Sequence, residues 1–176
     1  MVDQSVVVFI AYGTNVLMDQ TPERQSLPYI IAQLKGHDVD VCKFSRLWFS
    51  RAWPDPNDPP YRNAILQAYT TLTPAAVLRI LHALEAQAGR QRDGRSNAPR
   101  ALDLDLIAYG DAIIDADGLV LPHPRAHDRA FVMGPLAEIS PEWIHPVLGR
   151  PAVELYRTAT VARDAYPLDE DGSFEA

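Results

Sequence analysis

Cysteine is almost missing from this chain of 176 residues: Cys42 stands alone, so neither an internal disulfide nor a cysteine-built zinc site can form. Lysine is nearly as scarce, with Lys35 and Lys43 alone among 16 basic residues. A phosphate site would therefore be built from guanidinium forks rather than from an ammonium. No apolar run approaches a membrane span; the one nearest the start, Val6 to Tyr12, follows Asp3 without a basic flank. A cytoplasmic address is the expectation. Repeats and low-complexity tracts are absent, and 9 glycines and 15 prolines are too few for a collagen-like chain. Neither G-x-x-x-x-G-K-[ST] nor G-x-G-x-x-G occurs, so no standard nucleotide loop is present. The net charge of −7 argues against nucleic-acid or anionic-membrane binding.

What is present reads as one globular domain. Apolar residues make up 47% and charged residues 22%. The domain is expected over residues 1–160, followed by an acidic tail over 161–176 that ends DEDGSFEA. A monomer is the expectation.

Val6 to Ala11 is β-branched and apolar, the pattern of a strand buried on both faces. A helix is expected between Thr21 and Lys35, stopped by Gly36 and with a start complicated by Pro28. Val39 to Phe49 reads as a second strand, and Cys42 within it as a small buried hydrophobe. Residues 50–60 carry four prolines and must be a loop. From Arg62 to Leu72 the period is two, with Ala64, Leu66, Ala68 and Leu72 on one face and Asn63, Gln67 and Tyr69 on the other. Thr73-Pro74 caps a helix through Val77, Leu81, Leu84 and Ala88, ended by Gly89. Its His82 falls on the polar face, and its Glu85 could simply partner Arg90. Ala101 to Tyr109 alternates as a strand, and a further helix is expected near Asp128 to Glu138. Trp143 reads as core. This order of strands and helices is the split βαβ, ferredoxin-like arrangement of an α+β domain with a mostly antiparallel sheet.

Leu102-Asp103-Leu104-Asp105-Leu106 carries the chemistry. On a strand the leucines turn to the core and both aspartates to the opposite face, their α-carbons roughly 6–7 Å apart. Carboxylates so placed can share a pair of hard cations. Taken alone, D-x-D is more often a solvated strand face. Here Arg90, Arg92, Arg95 and Arg100 fall just upstream, opposed only by Asp93. Acidic pair and arginines together suit Mg²⁺ with a polyphosphate. His123 and His127 do not make a metal pair, because Pro122 and Pro124 exclude a regular helix there.

Asn97-Ala98-Pro99-Arg100 running into Asp103-Leu104-Asp105-Leu106-Ile107 resembles the signature of the 6-hydroxymethyl-7,8-dihydropterin pyrophosphokinase family. The resemblance extends in order from Tyr12-Gly13-Thr14-Asn15 through Tyr61-Arg62-Asn63-Ala64, Gly89-Arg90-Gln91-Arg92 and Leu121-Pro122-His123-Pro124. It ends with Arg129-Ala130-Phe131 and Gly134 to Ile139. It implies a ferredoxin-like three-layer α/β/α sandwich that transfers diphosphate from ATP to the pterin's hydroxymethyl oxygen and releases AMP, in folate biosynthesis.

By position, Asp103 and Asp105 would hold two Mg²⁺ ions, and Arg90, Arg92 and Arg100 would contact phosphate as catalytic groups. Glu85, His123 and Arg129 would also face the ATP, with Leu106, Leu119 and Leu121 packing its adenine. Ser50, Trp53, Asn63 and Phe131 would line the pterin slot. Many members carry Arg-Trp-Gly where this chain has Ser96-Asn97-Ala98, so the stacking tryptophan is replaced by Asn97; Pro124 stands where some relatives have an aromatic. Two other readings remain open: a catalytically silent relative that binds pterin or nucleotide, and a two-metal nucleotidyltransferase on a similar fold.

Overall fold

The run Val6–Thr14 forms β1, and its burial on both faces follows from its position in the middle of a sheet. The computed structural model describes residues 5–15, 25–52, 59–89, 102–116 and 118–169. In chain order β1 is followed by α1 (Leu27–Lys35), β2 (Val39–Phe44), β3 (Trp48–Ser50), β4 (Tyr61–Thr70) and α2 (Pro74–Gln87). Then come β5 (Asp103–Tyr109), β6 (Ile114–Ala116), β7 (Leu119–Leu121), α3 (Ala130–Ile139), α4 (Ala152–Thr158) and β8 (Tyr166–Pro167). The main sheet is antiparallel in the order β5-β1-β4-β3-β8, with β2 also paired to β4; β6 and β7 form a separate hairpin. The chain is thus a mixed α/β protein. No helix among the described residues is long and apolar enough to cross a membrane.

Alternation along the strands divides the core in two. Val8, Ile10, Ala64, Leu66, Leu102, Leu104 and Leu106 pack with Ile30 and Leu34 of α1 and Val77, Leu81 and Leu84 of α2. On the other face Phe9, Ile65 and Ile107 meet Val132, Met133 and Leu136 of α3 and Leu155 of α4. Each fully buried aliphatic side chain contributes about 1.5–3 kcal/mol.

The helix ends follow their caps. Ser26 accepts from the Tyr29 amide and Pro28 falls in the first turn of α1, so the proline begins that helix rather than kinking it. Thr73 caps α2 in the same way, with Pro74 first in the helix. Tyr12 Oη donates to the Gln25 carbonyl at 2.7 Å, and Gln25 Nε2 donates to the Ala88 carbonyl at 3.0 Å. Those bonds join the end of β1 to both helices of that layer, and burial holds the Tyr12 phenol above its ordinary pKa.

Four expectations change. The strand expected over 39–49 is two strands, because Ser45 turns inward: its amide donates to the Ile65 carbonyl and its hydroxyl accepts from the Ile65 amide, each at 3.0 Å. Cys42 is exposed rather than buried; the β2–β4 register shifts between Val41 and Lys43, and Cys42 is the residue left over. Strict alternation in 101–109 fails at its end, where the β1–β5 register shifts and both Ile107 and Ala108 join the α3 side. The described part of the expected tail, 161–169, is held to the domain: β8 pairs with β3, and the Leu168 amide donates to the Leu47 carbonyl at 2.7 Å. Trp143 is half-buried and meets Phe9 edge-on at 5.7 Å, a partial core residue, and His82 is half-buried.

Candidate active site

Asp103 and Asp105 point away from the leucines of β5 and line a cavity of about 500 Å³ on the α3 side of the sheet. That volume suits a small organic ligand. The central strands contribute Gly13 and Asn63, β3 contributes Ser50, the turn leading into α3 contributes Arg125, His127 and Arg129, and the first turn of α3 contributes Phe131. A second concavity of about 540 Å³, by Val7, Phe9, Lys43 and Trp143, is wide and mostly apolar and brings together none of the candidate residues.

Asn63 is oriented by its neighbours. Its Nδ2 donates to Ser50 Oγ at 3.0 Å and to the Trp48 carbonyl at 3.4 Å, while Oδ1 lies on the side of Gly13. A Cβ on Gly13 would stand 3.6 Å from that oxygen and 3.8 Å from Asp103 Cβ, so the glycine keeps open the space between amide and carboxylate. Phe131 stands beside Arg129, whose guanidinium carbon lies 5.6 Å from the ring centroid.

His123 reaches the same corner because its amide donates to the Ile107 carbonyl at 2.8 Å. Its Nε2 stands 3.9 Å from Asp105 Oδ2. Burial lowers its pKa, Arg129 and Arg125 add to the effect, and the attraction of Asp105 does not reverse it. The imidazole is neutral at neutral pH.

Two further networks hold the site in place. Glu85 is 1% exposed, and its Oε1 accepts from the Leu104 amide at 2.9 Å, between the two aspartates. It docks α2 on β5 at the edge of the sheet, a larger part than that of a charge for Arg90. Glu138 accepts from the Arg46 amide at 2.9 Å and from Trp48 Nε1 at 2.8 Å, tying β3 to α3.

The structure therefore gathers Ser50, Asn63, Asp103, Asp105, His123, Arg129 and Phe131 around one corner of the fold. Leu106 and Leu121 are core residues of the opposite face, with the half-buried Leu119 packed beside them, and none of the three lines the cavity. Arg90, Arg92, Arg100 and Trp53, like Arg95 and Asn97, lie outside the described residues. Sequence reasoning missed Arg51, Val161 and Ala162, which also line the cavity. No periodicity marks them; only their distant pairing partners bring them there.

The family model for 7,8-dihydro-6-hydroxymethylpterin-pyrophosphokinase matches residues 9–141. A 2-amino-4-hydroxy-6-hydroxymethyldihydropteridine pyrophosphokinase from Synechocystis is 39% identical over 125 residues, which are 71% of this chain and 62% of that protein. One of the same name from Aquifex aeolicus is 30% identical over 149 residues, covering 84% of this chain and 88% of the relative. An Arabidopsis thaliana folate synthesis bifunctional protein is 32% identical over 75% of this chain, but that match spans only 26% of its length. Among solved structures, an HPPK-DHPS in complex with substrates superposes with a TM-score of 0.65 at 11% identity, covering 87% of this chain and 44% of that one. That likeness concerns the fold.

Proposed function

Because this chain belongs to the 7,8-dihydro-6-hydroxymethylpterin-pyrophosphokinase family, we propose that it transfers diphosphate from ATP to 6-hydroxymethyl-7,8-dihydropterin as a cytoplasmic, Mg²⁺-dependent enzyme of folate synthesis. The pterin's hydroxymethyl oxygen gives up its proton and forms a bond to the β-phosphorus, the bond from that phosphorus to the α–β bridging oxygen breaks, and AMP leaves, with the proton released to solvent. We also take the chain through residue 169, with β8 added to the 1–160 expected, as one domain with the ferredoxin-like α/β/α layering. The helix pairs on the two sheet faces support it.

The observation that carries the reading is the meeting of Asp103 and Asp105 with Asn63, Ser50 and Phe131 in one cavity. Asn63 presents its amide oxygen to a ring N–H, and Phe131 offers an aromatic face; a flat, amphipathic heterocycle needs both. Arg129 brings positive charge to the side of Phe131 where phosphates would lie, and neutral His123 can donate or accept without adding charge. Arg90, Arg92 and Arg100 are proposed to hold phosphate, Trp53 to line the pterin, and Leu106, Leu119 and Leu121 to back the adenine outside that cavity, on the α2 side of β5. Glu85 serves the nucleotide side by fixing Leu104.

The donor set fits magnesium. Asp103 and Asp105 are hard oxygen ligands, and no group of three or more His, Cys, Asp or Glu forms a cage among the described residues. An ion that keeps waters and takes substrate phosphates is bound in this way. When bound, two such ions would neutralise phosphate charge and lower the pKa of the attacking hydroxyl.

Incubation with ATP, Mg²⁺ and the pterin should yield AMP and pterin diphosphate in equal amounts. Formation of ADP or free pyrophosphate, or tight binding without turnover, would overturn the reading.

A further inference from the structure

We propose that the segment after α4, residues 159–168, is a specificity wall of the substrate cavity, with Val161 and Ala162 limiting its pterin end. The inference rests on the pterin reading of Ser50 and Phe131, and it goes beyond the family match, which stops at residue 141.

Val161 and Ala162 line the same cavity as Asn63 and Asp103. The segment is anchored on both sides of that opening. Toward α3, the Val161 carbonyl accepts from the Ala130 amide at 2.9 Å, and the Val161 amide donates to the Asp128 carbonyl at 2.9 Å. Thr160 donates its amide and its hydroxyl to the Asp128 carboxylate at 2.9 and 2.8 Å. Toward β3, Asp164 Oδ2 accepts from the Arg51 amide at 3.4 Å and lies 3.6 Å from Arg51 Nε. Tyr166 stacks on Phe49 with ring centroids 5.0 Å apart.

The segment thus bridges the strand that carries Ser50 and the helix that carries Phe131. Between the two anchors the backbone turns tightly. Ala162 has φ +53°, a left-handed conformation that a residue with a Cβ seldom adopts, and its carbonyl accepts from the Ala165 amide at 3.0 Å. A strained alanine, locked by contacts on either side, gives a wall of fixed position, and its two small apolar side chains suit the edge of a flat ring more than a phosphate.

Steady-state kinetics of the full chain, with pterin and ATP varied in turn, test this. Val161→Phe should raise the pterin KM at least tenfold while the ATP KM stays within twofold. Asp164→Ala, a surface change that removes the acceptor of the Arg51 amide and guanidinium, should raise the pterin KM threefold or more, again sparing ATP. It keeps the test open should Val161→Phe not fold. An active parent whose folded variants keep a pterin KM within twofold, or shift both KM values together, overturns the wall alone. A parent that releases no AMP overturns the proposed function and the wall with it.

Discussion

Asp103 and Asp105 sit on β5 with their chains toward solvent and the leucines between them toward the helices, so an amide at either position changes charge without changing packing. Asp103→Asn and Asp105→Asn should each lower AMP release by ~10²-fold or more while thermal melts stay near the parent, because electrostatic groups of this kind act on the transition state and not on the fold. Asn63 differs in being 6% exposed and part of a bonded set. Asn63→Ala should weaken pterin binding by about 1–3 kcal/mol, readable by calorimetry, since it removes an acceptor and leaves Ser50 without its donor. The carboxylate pair was legible in the sequence because strand period alone turns both side chains one way. The orientation of Asn63 was not, since it depends on Ser50 from another strand. Cys42 misled for the same kind of reason: a bulge set by β4 turned an apparently buried position outward.

At the scale of elements, two joints hold the site. The first is Glu85 between α2 and β5. Glu85→Ala leaves the Leu104 amide without its acceptor inside the protein, at a cost of about 1–3 kcal/mol in urea unfolding, and should lower activity because the strand that carries both aspartates loses its support. The second is the contact of β3 with α3. A Cβ on Gly134 would fall 2.4 Å from the Trp48 ring, whose indole N–H is held by Glu138 and so cannot easily withdraw. Gly134→Ala should destabilise the fold by about 1–3 kcal/mol by the same measurement. Helix starts were readable because Ser26 with Pro28 and Thr73 with Pro74 are local signals. The split between β2 and β3 was not, because it comes from Ser45 bonding to Ile65 across the sheet.

For the whole molecule, pH acts through groups far apart in the chain. His145 Nδ1 accepts from the Val147 and Leu148 amides, and burial, helped by the charge of His127, lowers its pKa below the ordinary 6.5. The unfolded chain then binds a proton that the folded one refuses, so stability is complete above that value and falls as pH drops beneath it. Urea midpoints taken from pH 7.5 to 5 should decline, and less steeply in His145→Asn, whose amide oxygen can accept the same bonds without titrating. Asp128, held below its usual pKa by Thr160, acts in a lower window: its contribution is present above the ordinary carboxylate range and lost in stronger acid. The C-terminal segment reads as a tail because the sequence turns acidic and small beyond Tyr156; the place of its described part beside β3 depends on pairing that composition does not encode.

The Glu85–Leu104 bond also gives the molecule a reporter. Deuterium should replace the proton on that backbone nitrogen only when α2 lifts from the sheet margin, so the exchange rate of one amide clocks how often the ground beneath the two carboxylates gives way.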